Sequence, residues 1–492
     1  MPLPNNSELL YGLNSEQVRA VTAAFERPLL VLAGAGSGKT LVLTRRIAYL
    51  AEKFCAPERV LALTFTRAAA REMAGRLTAF ANGGAGRGAP LVTTFHAFCL
   101  RVLFEEVDGK RNCTRLGYRG RPRLVPAQIR PRMIAAASTR SERLLLGMDV
   151  LELEALVLKR LAFPKKQDGL SAEQEACIET ITGRYSIAKK QAGLWDFADF
   201  IAGALRLFDT EETIAKHYES KYLAVLVDEF QDTNPVQIKL LKRLLTANKP
   251  FFAVGDDDQA IYGFQGADRR TILNFAEHFQ NSEIVKLQTN YRSTPAILAA
   301  ANKIFRKKPG QYGKVLRAGL IAKTVSEQRK PVKKIFETED EMSIWLADTI
   351  RKLKADHALD FSGIAILFRL NQTRDSMEAL LKKESVFDSR LPRLLTVHSA
   401  KGMEFDAVFL CDLEEGIFPG TRGITHNPSF LELLAAVVKR NKSEEEELGE
   451  EQRLFYVGIT RAKRFLWLVS VRNKELYGRT MRFEGSRFLR LV

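Results

Sequence analysis

Cysteine, acidic charge and long apolar runs are all scarce in this sequence, and each shortage excludes a class of protein. The five cysteines, Cys55, Cys99, Cys113, Cys177 and Cys411, are scattered, with no Cys-x-x-Cys pair and no histidine at metal-ligand spacing. That pattern argues against a zinc or iron–sulfur centre and suits a reducing compartment. No apolar run approaches the roughly 18 residues that mark a membrane span. The opening Met1-Pro2-Leu3-Pro4-Asn5-Asn6 lacks the basic-then-apolar order of a signal peptide. A cytoplasmic protein without a membrane partner is expected. No repeat at solenoid spacing is visible. Asp and Glu number 58 against 75 Lys and Arg, a net charge of +17, and the isoelectric point lies near 9.6. An excess of that size points to a polyanionic partner, most often nucleic acid. In bulk the 492 residues, 46% hydrophobic and 27% charged, describe an ordinary globular chain. A length prior divides it into roughly three to four domains.

The most informative stretch present is Ala33-Gly34-Ala35-Gly36-Ser37-Gly38-Lys39-Thr40. It follows the apolar run 28–32 and opens a helix-patterned segment, the order a nucleoside triphosphate cradle requires. Glycines let backbone N–H groups curl around phosphates, and a helix N-terminus adds partial positive charge. Lys39 is placed to reach the β and γ phosphates, and the Thr40 hydroxyl to ligate Mg²⁺. ATP as substrate with Mg²⁺ as cofactor is the expectation.

Short apolar runs at 29–32, 60–64, 91–94, 224–227 and 251–254 alternate with helical patterns and read as buried parallel strands. A second set at 284–287, 332–336, 363–368, 394–397, 407–411 and 465–469 suggests a second α/β unit. Residues 101–221 interrupt the first set, between 91–94 and 224–227, and read as helical. This segment opens with eleven Lys and Arg against four acidic residues over 101–143. The acidic run 444–447, with 431–442, reads as a solvated helix and its exit. The fold class expected is α/β, with two tandem P-loop domains and a helical insert in the first.

Asp228 and Glu229 come directly after the strand pattern 224–227. Open α/β sheets place their active sites at the C-terminal ends of strands. Asp228 is suited to hold Mg²⁺ and Glu229 to accept a proton from an attacking water. Further stations follow. Leu13-Asn14 with Gln17 precedes the phosphate loop, and Thr64-Phe65-Thr66-Arg67 and Thr93-Thr94-Phe95-His96 come after it. Gly255-Asp256-Asp257-Asp258-Gln259-Ala260-Ile261-Tyr262-Gly263-Phe264 and Asn290-Tyr291-Arg292-Ser293 come next. Thr396-Val397-His398-Ser399-Ala400-Lys401-Gly402-Met403-Glu404-Phe405 and Tyr456-Val457-Gly458-Ile459-Thr460-Arg461-Ala462 close the series. In this order the chain resembles the UvrD/Rep-type superfamily 1 (SF1A) helicases over nearly its whole length.

The resemblance implies a role for each station. Gln17 would read adenine and Tyr291 stack on it, with Gly34, Ala35, Gly36, Ser37, Gly38, Lys39 and Thr40 around the phosphates. Glu404 would contact the ribose. Gln259 would sense the γ-phosphate, with Arg292 and Arg461 as arginine fingers. Thr64, Phe65, Thr94, His96, Tyr262, Phe264, Thr396 and His398 would contact DNA, whereas Phe98 belongs to the core. Stacking and backbone contacts of this kind carry no sequence preference. The implied domains are two RecA-like units. The first takes residues 1–103 and 221–282, interrupted by a basic helical insert at 104–220, and the second takes 283–492.

Three departures from the family pattern stand out. Phe264-Gln265 replaces a common Trp-Arg, so the positive charge that helps link nucleotide and DNA is missing there. Leu41 stands where relatives often carry Arg. A second accessory domain is reduced to the linker 384–393. The implied activity is ATP-dependent, 3′→5′ translocation on single-stranded DNA with unwinding at single-strand/duplex junctions, by a monomer. DNA repair is among the pathways that use such motors. The alternative is a DNA-stimulated ATPase subunit of a repair or defence complex with little unwinding of its own. A kinase-type P-loop protein would not explain Arg292 and Arg461 arriving from a second unit. A non-catalytic scaffold would not keep Lys39, Asp228, Glu229 and both arginines.

Overall fold

The computed structural model describes residues 9–81, 88–162, 170–245, 249–263, 266–305, 312–319, 329–384, 391–420, 443–476 and 478–492. Its frame is two parallel sheets. The first is built from β1 (Leu29–Ala33), β2 (Val60–Thr64), β3 (Leu91–Thr94), β4 (Ala224–Val227), β5 (Phe251–Gly255) and β6 (Glu283–Leu287). Its spatial order is β6-β1-β5-β4-β2-β3, every neighbour parallel. Alternate side chains enter different cores, as the two-residue period of a strand dictates. Leu30, Leu32, Leu61, Leu63, Val225 and Val227 join one cluster. Leu29, Val31, Val60, Ala62, Ala224 and Leu226 join the other. Both faces are thus covered by helices, so the strands read as unbroken apolar runs. Truncating one of these leucines to alanine costs about 2–5 kcal/mol.

The second sheet contains β7 (Val332–Thr338), β8 (Ile364–Phe368), β9 (Arg393–Thr396), β10 (Phe405–Leu410) and β11 (Ala462–Leu476). They lie in the order β7-β11-β10-β8-β9, again parallel throughout, with Arg479–Arg482 antiparallel to the end of β11. The same alternation repeats here. Ala365, Leu367, Val408 and Leu410 face one core, and Ile364, Ile366, Ala407 and Phe409 the other. The α/β class with two parallel sheets flanked by helices is the observed architecture.

Several boundaries differ from the sequence expectation. The strand expected to open the second unit, near 284–287, is the edge of the first sheet, paired with Leu29–Ala33. Periodicity identifies a strand but cannot say which sheet adopts it. The acidic run 444–447 is the first turn of the helix Glu444–Ile459, not the exit of one. Ser443 caps that turn, and four glutamates there favour the positive end of the helix dipole. Residues 431–442 lie outside the described residues. The insert has its own core around Ile134, Leu153, Leu156, Ile178, Ile181 and Tyr185. The helices Phe197–Thr210 and Glu212–Lys221, however, bury Phe200, Ala204, Leu207 and Ile214 in the core of the first sheet. That core also holds Phe98. The stretch 104–220 is therefore only partly a separate body.

The insert's basic run also divides. Arg115 donates to Glu211 at 3.1 Å and to the Val107 carbonyl at 2.8 Å. Arg130 reaches Glu154 at 3.2 Å. Those two are structural, whereas Arg119, Arg121, Arg123 and Arg132 are exposed. All five cysteines are free thiols, and four of them are buried. Among the described residues no helix is long and apolar enough to cross a membrane.

Candidate nucleotide cleft and nucleic-acid interface

The phosphate loop leaves β1 and enters the helix Lys39–Lys53 through two glycines of positive φ, Gly36 at 65° and Gly38 at 84°. A side chain at Gly36 would also collide, because a Cβ there would lie 2.6 Å from Asn290 Nδ2 and 2.7 Å from Arg292 Cβ. The loop is therefore shaped against the second lobe. The Asn290 amide donates to the Ala35 carbonyl at 2.6 Å, and Tyr291 N donates to Gly36 O at 2.9 Å. No side chain caps the helix Lys39–Lys53 at its N-terminus. Its first amides are thus open to an anion, as a phosphate cradle needs.

Asp228 and Glu229 stand at the end of β4, where Glu229 holds a left-handed φ of 49°. A non-glycine residue there costs about 1–3 kcal/mol and persists where its surroundings impose it. Glu229 Oε1 lies 3.8 Å from Lys39 Nζ, and the Gln231 amide donates to its other oxygen. Burial pushes the Glu229 carboxyl up, but the Lys39 and Lys401 ammoniums outweigh it and hold the group below the usual range. Asp228 moves the other way, raised first by burial and then by the adjacent Glu229 charge. A buried carboxylate of this kind, close enough to the phosphate loop to feel the Lys39 charge, is a donor that suits a divalent cation.

Residues from both lobes converge on the same cleft. Gln259 donates to Asp256 Oδ2 at 2.6 Å and accepts from Arg461 Nη2 at 3.2 Å. Arg461 is 1% exposed, and burial, with Arg292 nearby, draws its guanidinium down to about 9. Arg292 donates from Nε to Glu404 at 2.7 Å and from Nη1 to the Thr460 carbonyl at 3.2 Å. Lys463 lies 2.9 Å from the other Glu404 oxygen. At the end of the cleft where the sequence leads one to expect adenine, Gln17 closes a capping box with Asn14 and donates to the Ser37 carbonyl at 3.0 Å. Asn14 in turn donates to the Tyr291 hydroxyl at 2.7 Å. Both ends of the Gln17 amide are engaged by protein groups, so the expected contact with a base would require an exchange.

The expected nucleic-acid face begins beside this cleft. Phe65 and Tyr262 are stacked with centroids 5.0 Å apart and planes at 20°. Phe264 and Gln265 lie outside the described residues. Thr64 donates to the Thr66 carbonyl at 3.0 Å, Thr94 caps the helix Phe95–Phe104, and Thr396 lies 2.9 Å from the Ser399 hydroxyl. His398 is half-buried two residues beyond Thr396. His96 sits edge-on to Phe197 at 6.1 Å. Phe65, Arg67, Thr94, His96, Phe197 and Phe200 help to line an open pocket of about 220 Å³. Burial lowers the His96 imidazole below its usual value.

Four participants escaped the sequence reading. Lys401 donates to Asp232 at 2.5 Å and to the Gln259 carbonyl at 2.9 Å. Its ammonium also lies 4.7 Å from the centre of the Tyr262 ring. Its place inside the 396–405 motif was a usable signal. Asp232, pushed up to about 7 by burial despite Lys401, could have been suspected from its spacing after Asp228. Phe197 and Lys314 carried no local signal, because each is recruited by tertiary packing.

Two parallel sheets, a phosphate loop on the first and basic side chains reaching it from the second define a tandem RecA-like nucleoside triphosphatase. The UvrD/REP helicase N-terminal domain family matches residues 13–280, and the UvrD-like helicase C-terminal domain family matches 285–392 and 387–473. The ATP-dependent DNA helicase PcrA of Bacillus subtilis is 27% identical over 661 positions, covering 98% of this chain and 86% of that protein. A probable DNA helicase of Mycoplasma pneumoniae is 30% identical over 503 positions, covering 98% of this chain and 87% of that protein. A probable DNA helicase II homolog of Rickettsia conorii is 33% identical across 76% of this chain and 56% of its own length. The chain belongs to the UvrD/REP helicase family.

Proposed function

We propose that this chain is an ATP-dependent translocase on single-stranded DNA and a DNA helicase, acting 3′→5′ and releasing ADP and phosphate from the cleft between its lobes. One observation carries the reading, a contact path that joins the two ligand faces. Arg461 touches Gln259, Lys401 binds the Gln259 carbonyl, and the same ammonium lies over Tyr262, which stacks on Phe65. A change at the γ-phosphate position therefore has a physical route to the ring pair that takes bases. Lys401 also supplies positive charge between the two sites.

Within the cleft, Glu229 takes the proton of the attacking water, since Lys39 and Lys401 favour its ionised form. Lys39 and the uncapped amides hold the phosphates. Arg292 and Arg461 neutralise charge that develops on the γ-phosphate, an effect worth about 10³–10⁵ in rate for such fingers. Gln259 senses that phosphate, Gln17 and Tyr291 receive the base, and Glu404 receives the ribose. Mg²⁺ held by Thr40 and Asp228 neutralises phosphate charge when bound.

On the DNA face, Phe65, Tyr262, Phe264 and Phe197 take bases, while Thr64, Thr94, His96, Thr396 and His398 hold the backbone. Exposed Arg119, Arg121, Arg123 and Arg132 offer the insert's charge to duplex ahead of a junction. The direct pairing of β8 with β9 fits a second lobe whose accessory insert is reduced to 384–393. A monomer is then sufficient.

The test is ATP hydrolysis with and without single-stranded DNA, followed by strand separation on a duplex with one 3′ tail. Slow basal hydrolysis, strong stimulation and unwinding of short duplexes are expected. Hydrolysis indifferent to DNA would sink the translocase reading. Stimulation without strand separation would leave the subunit of a larger complex.

A further inference from the structure

We propose that Lys314 is a positioning residue for ATP hydrolysis, holding Asp256, Asp257 and Asp258 and, through Asp256, setting Gln259. The inference rests on the reading of the cleft as an ATPase. Lys314 Nζ pairs with the Asp256 and Asp257 carboxylates and lies 3.3 Å from Asp258 Oδ2. Its side chain is 3% exposed, and both Asp256 and Asp257 side chains are 0% exposed. The three acids offer oxygens within 4.8 Å of one another, a group that could surround a cation. Lys314 supplies that cation from within the chain.

The backbone that follows Lys314 is held firmly. Val315 N donates to Gln288 Oε1 at 3.0 Å, Leu316 N donates to Asn302 Oδ1 at 2.9 Å, and the Asn302 amide returns a bond to Leu316 O at 2.9 Å. Leu316 packs directly on the phosphate loop, since a Cβ at Gly34 would lie 2.2 Å from its Cδ2. The phosphate loop and Lys314 are thus packed on one short segment. Asn302 belongs to the helix Pro295–Ile304, whose Ile297, Leu298 and Ala301 join the second-lobe core.

Asp256 is where this charge acts on the chemistry. Its carboxylate receives the Gln259 amide at 2.6 Å, and its own N–H donates to Gln231 Oε1 at 2.9 Å. Gln231 donates onward to Glu229. One aspartate thereby orients both the γ-phosphate sensor and the residue that orders the base. Other charged groups also face the cluster, but none of those described pairs with Asp256. Arg269 donates to the Asp257 carbonyl at 3.1 Å and pairs more loosely with the Asp257 carboxylate at 3.4 Å, and Lys39 acts on Asp256 through space. Arg453 donates to the Ala260 carbonyl at 2.7 Å, and Tyr456 is a buried neutral neighbour. Among the described residues, Lys314 is the cation in contact with Asp256. Without it, three buried carboxylates would repel, take up protons or admit water. Each outcome moves Gln259.

The experiment compares DNA-stimulated ATPase of the full chain with Lys314→Met, Lys314→Arg and the pair Lys314→Met/Asp257→Asn, from pH 6 to pH 8. Lys314→Met should lower kcat by about tenfold or more at pH 8 while KM for ATP changes less than about threefold, the signature of a group acting on the transition state. The deficit should narrow toward pH 6, where protonation replaces the missing charge, and Asp257→Asn should relieve part of it at pH 8. Lys314→Arg should keep the wild-type pH profile. Should Lys314→Met fail to fold in a thermal melt, the pair variant is compared with Asp257→Asn alone, and a lower kcat that recovers toward pH 6 is expected. Wild-type kcat in Lys314→Met, a loss equal at both pH values and unrelieved by Asp257→Asn, or equality of the pair variant with Asp257→Asn would overturn the proposal. Absence of DNA-stimulated hydrolysis in the unaltered protein would instead overturn the ATPase reading itself.

Discussion

The described chain buries lysine among acids in the insert, inside the second lobe and in the cleft, and the contrast between the last two separates architecture from mechanism. Inside the second lobe, Lys474 donates to Asp412 at 2.6 Å and to Glu414 at 3.0 Å, with all three side chains at most 1% exposed. Arg369 grips Glu451 nearby through two bonds, and Glu451 also accepts the Gly420 amide at 3.2 Å. Every one of these partners belongs to one lobe, so the network ties strand ends to a helix. In the cleft, Lys401 and Lys314 make similar bonds, but their acids Asp232, Asp256, Asp257 and Asp258 sit at strand ends of the first sheet. The chemistry of the two groups is alike, and only the connectivity differs. A network within one lobe can contribute stability alone. A network shared by two lobes is altered by any movement between them.

Substitutions can break that contrast, beginning with the largest expected effect. Glu229→Gln should bind ATP yet lower kcat by about 10²–10⁴, the range lost with a general base. Steady-state hydrolysis beside an ATP-binding titration checks it, and near-normal turnover would mean the base is another group. Lys474→Met should instead cost stability, about 3–5 kcal/mol as for a broken buried pair. Chemical unfolding would register that cost, while kcat per folded molecule stays unchanged. If Lys474→Met lost catalysis without losing stability, the division between the two networks would collapse.

Lys401→Met should sit between those extremes. Its contacts to Asp232, Gln259 and Tyr262 predict a fall in DNA stimulation of about 5–150-fold, the range of a typical coupling energy, with basal hydrolysis less affected. Equal loss with and without DNA would remove Lys401 from the path between the sites. Phe197→Ala and Tyr262→Ala should each weaken single-strand binding by about 1–3 kcal/mol. Their salt dependence should match the unaltered protein, because no phosphate contact is lost. A changed salt slope would argue that these rings order the basic surface rather than stack on bases. The smallest effect concerns His96. Its pKa is lowered by burial, so the ring is neutral above the ordinary histidine value and DNA affinity should stay flat from about pH 7 to pH 8. A rise in affinity on acidification within that window, read by fluorescence anisotropy, would show the ring charging on DNA.

Much of this arrangement was legible in the sequence because its signals are local. The loop from Ala33 to Thr40 lies between a strand and a helix, and Asp228 and Glu229 follow β4. Neighbouring residues must share one peptide path, so strand, glycine turn and helix can be read in order. The departures arose where pairing is non-local. A strand pattern at 284–287 looks the same in either sheet, and hydrogen bonding to Leu29–Ala33 is what assigns it. The basic run of the insert was visible as composition, but whether Arg115 is free or bound to Glu211 depends on a partner 96 residues away.

The sequence by itself determined that this is a two-unit P-loop protein, since loop chemistry, strand runs and motif order are carried by contiguous residues. Tertiary structure alone decided which charges meet. Lys314 approaches Asp256 from 58 positions away, and Lys401 reaches Asp232 across 169. Phe197 joins Phe65 and His96 around one pocket only because the helix that begins with it folds back onto the first sheet's core. Burial then converts those meetings into function, because a charge removed from water must be answered by whichever group the fold brings within reach.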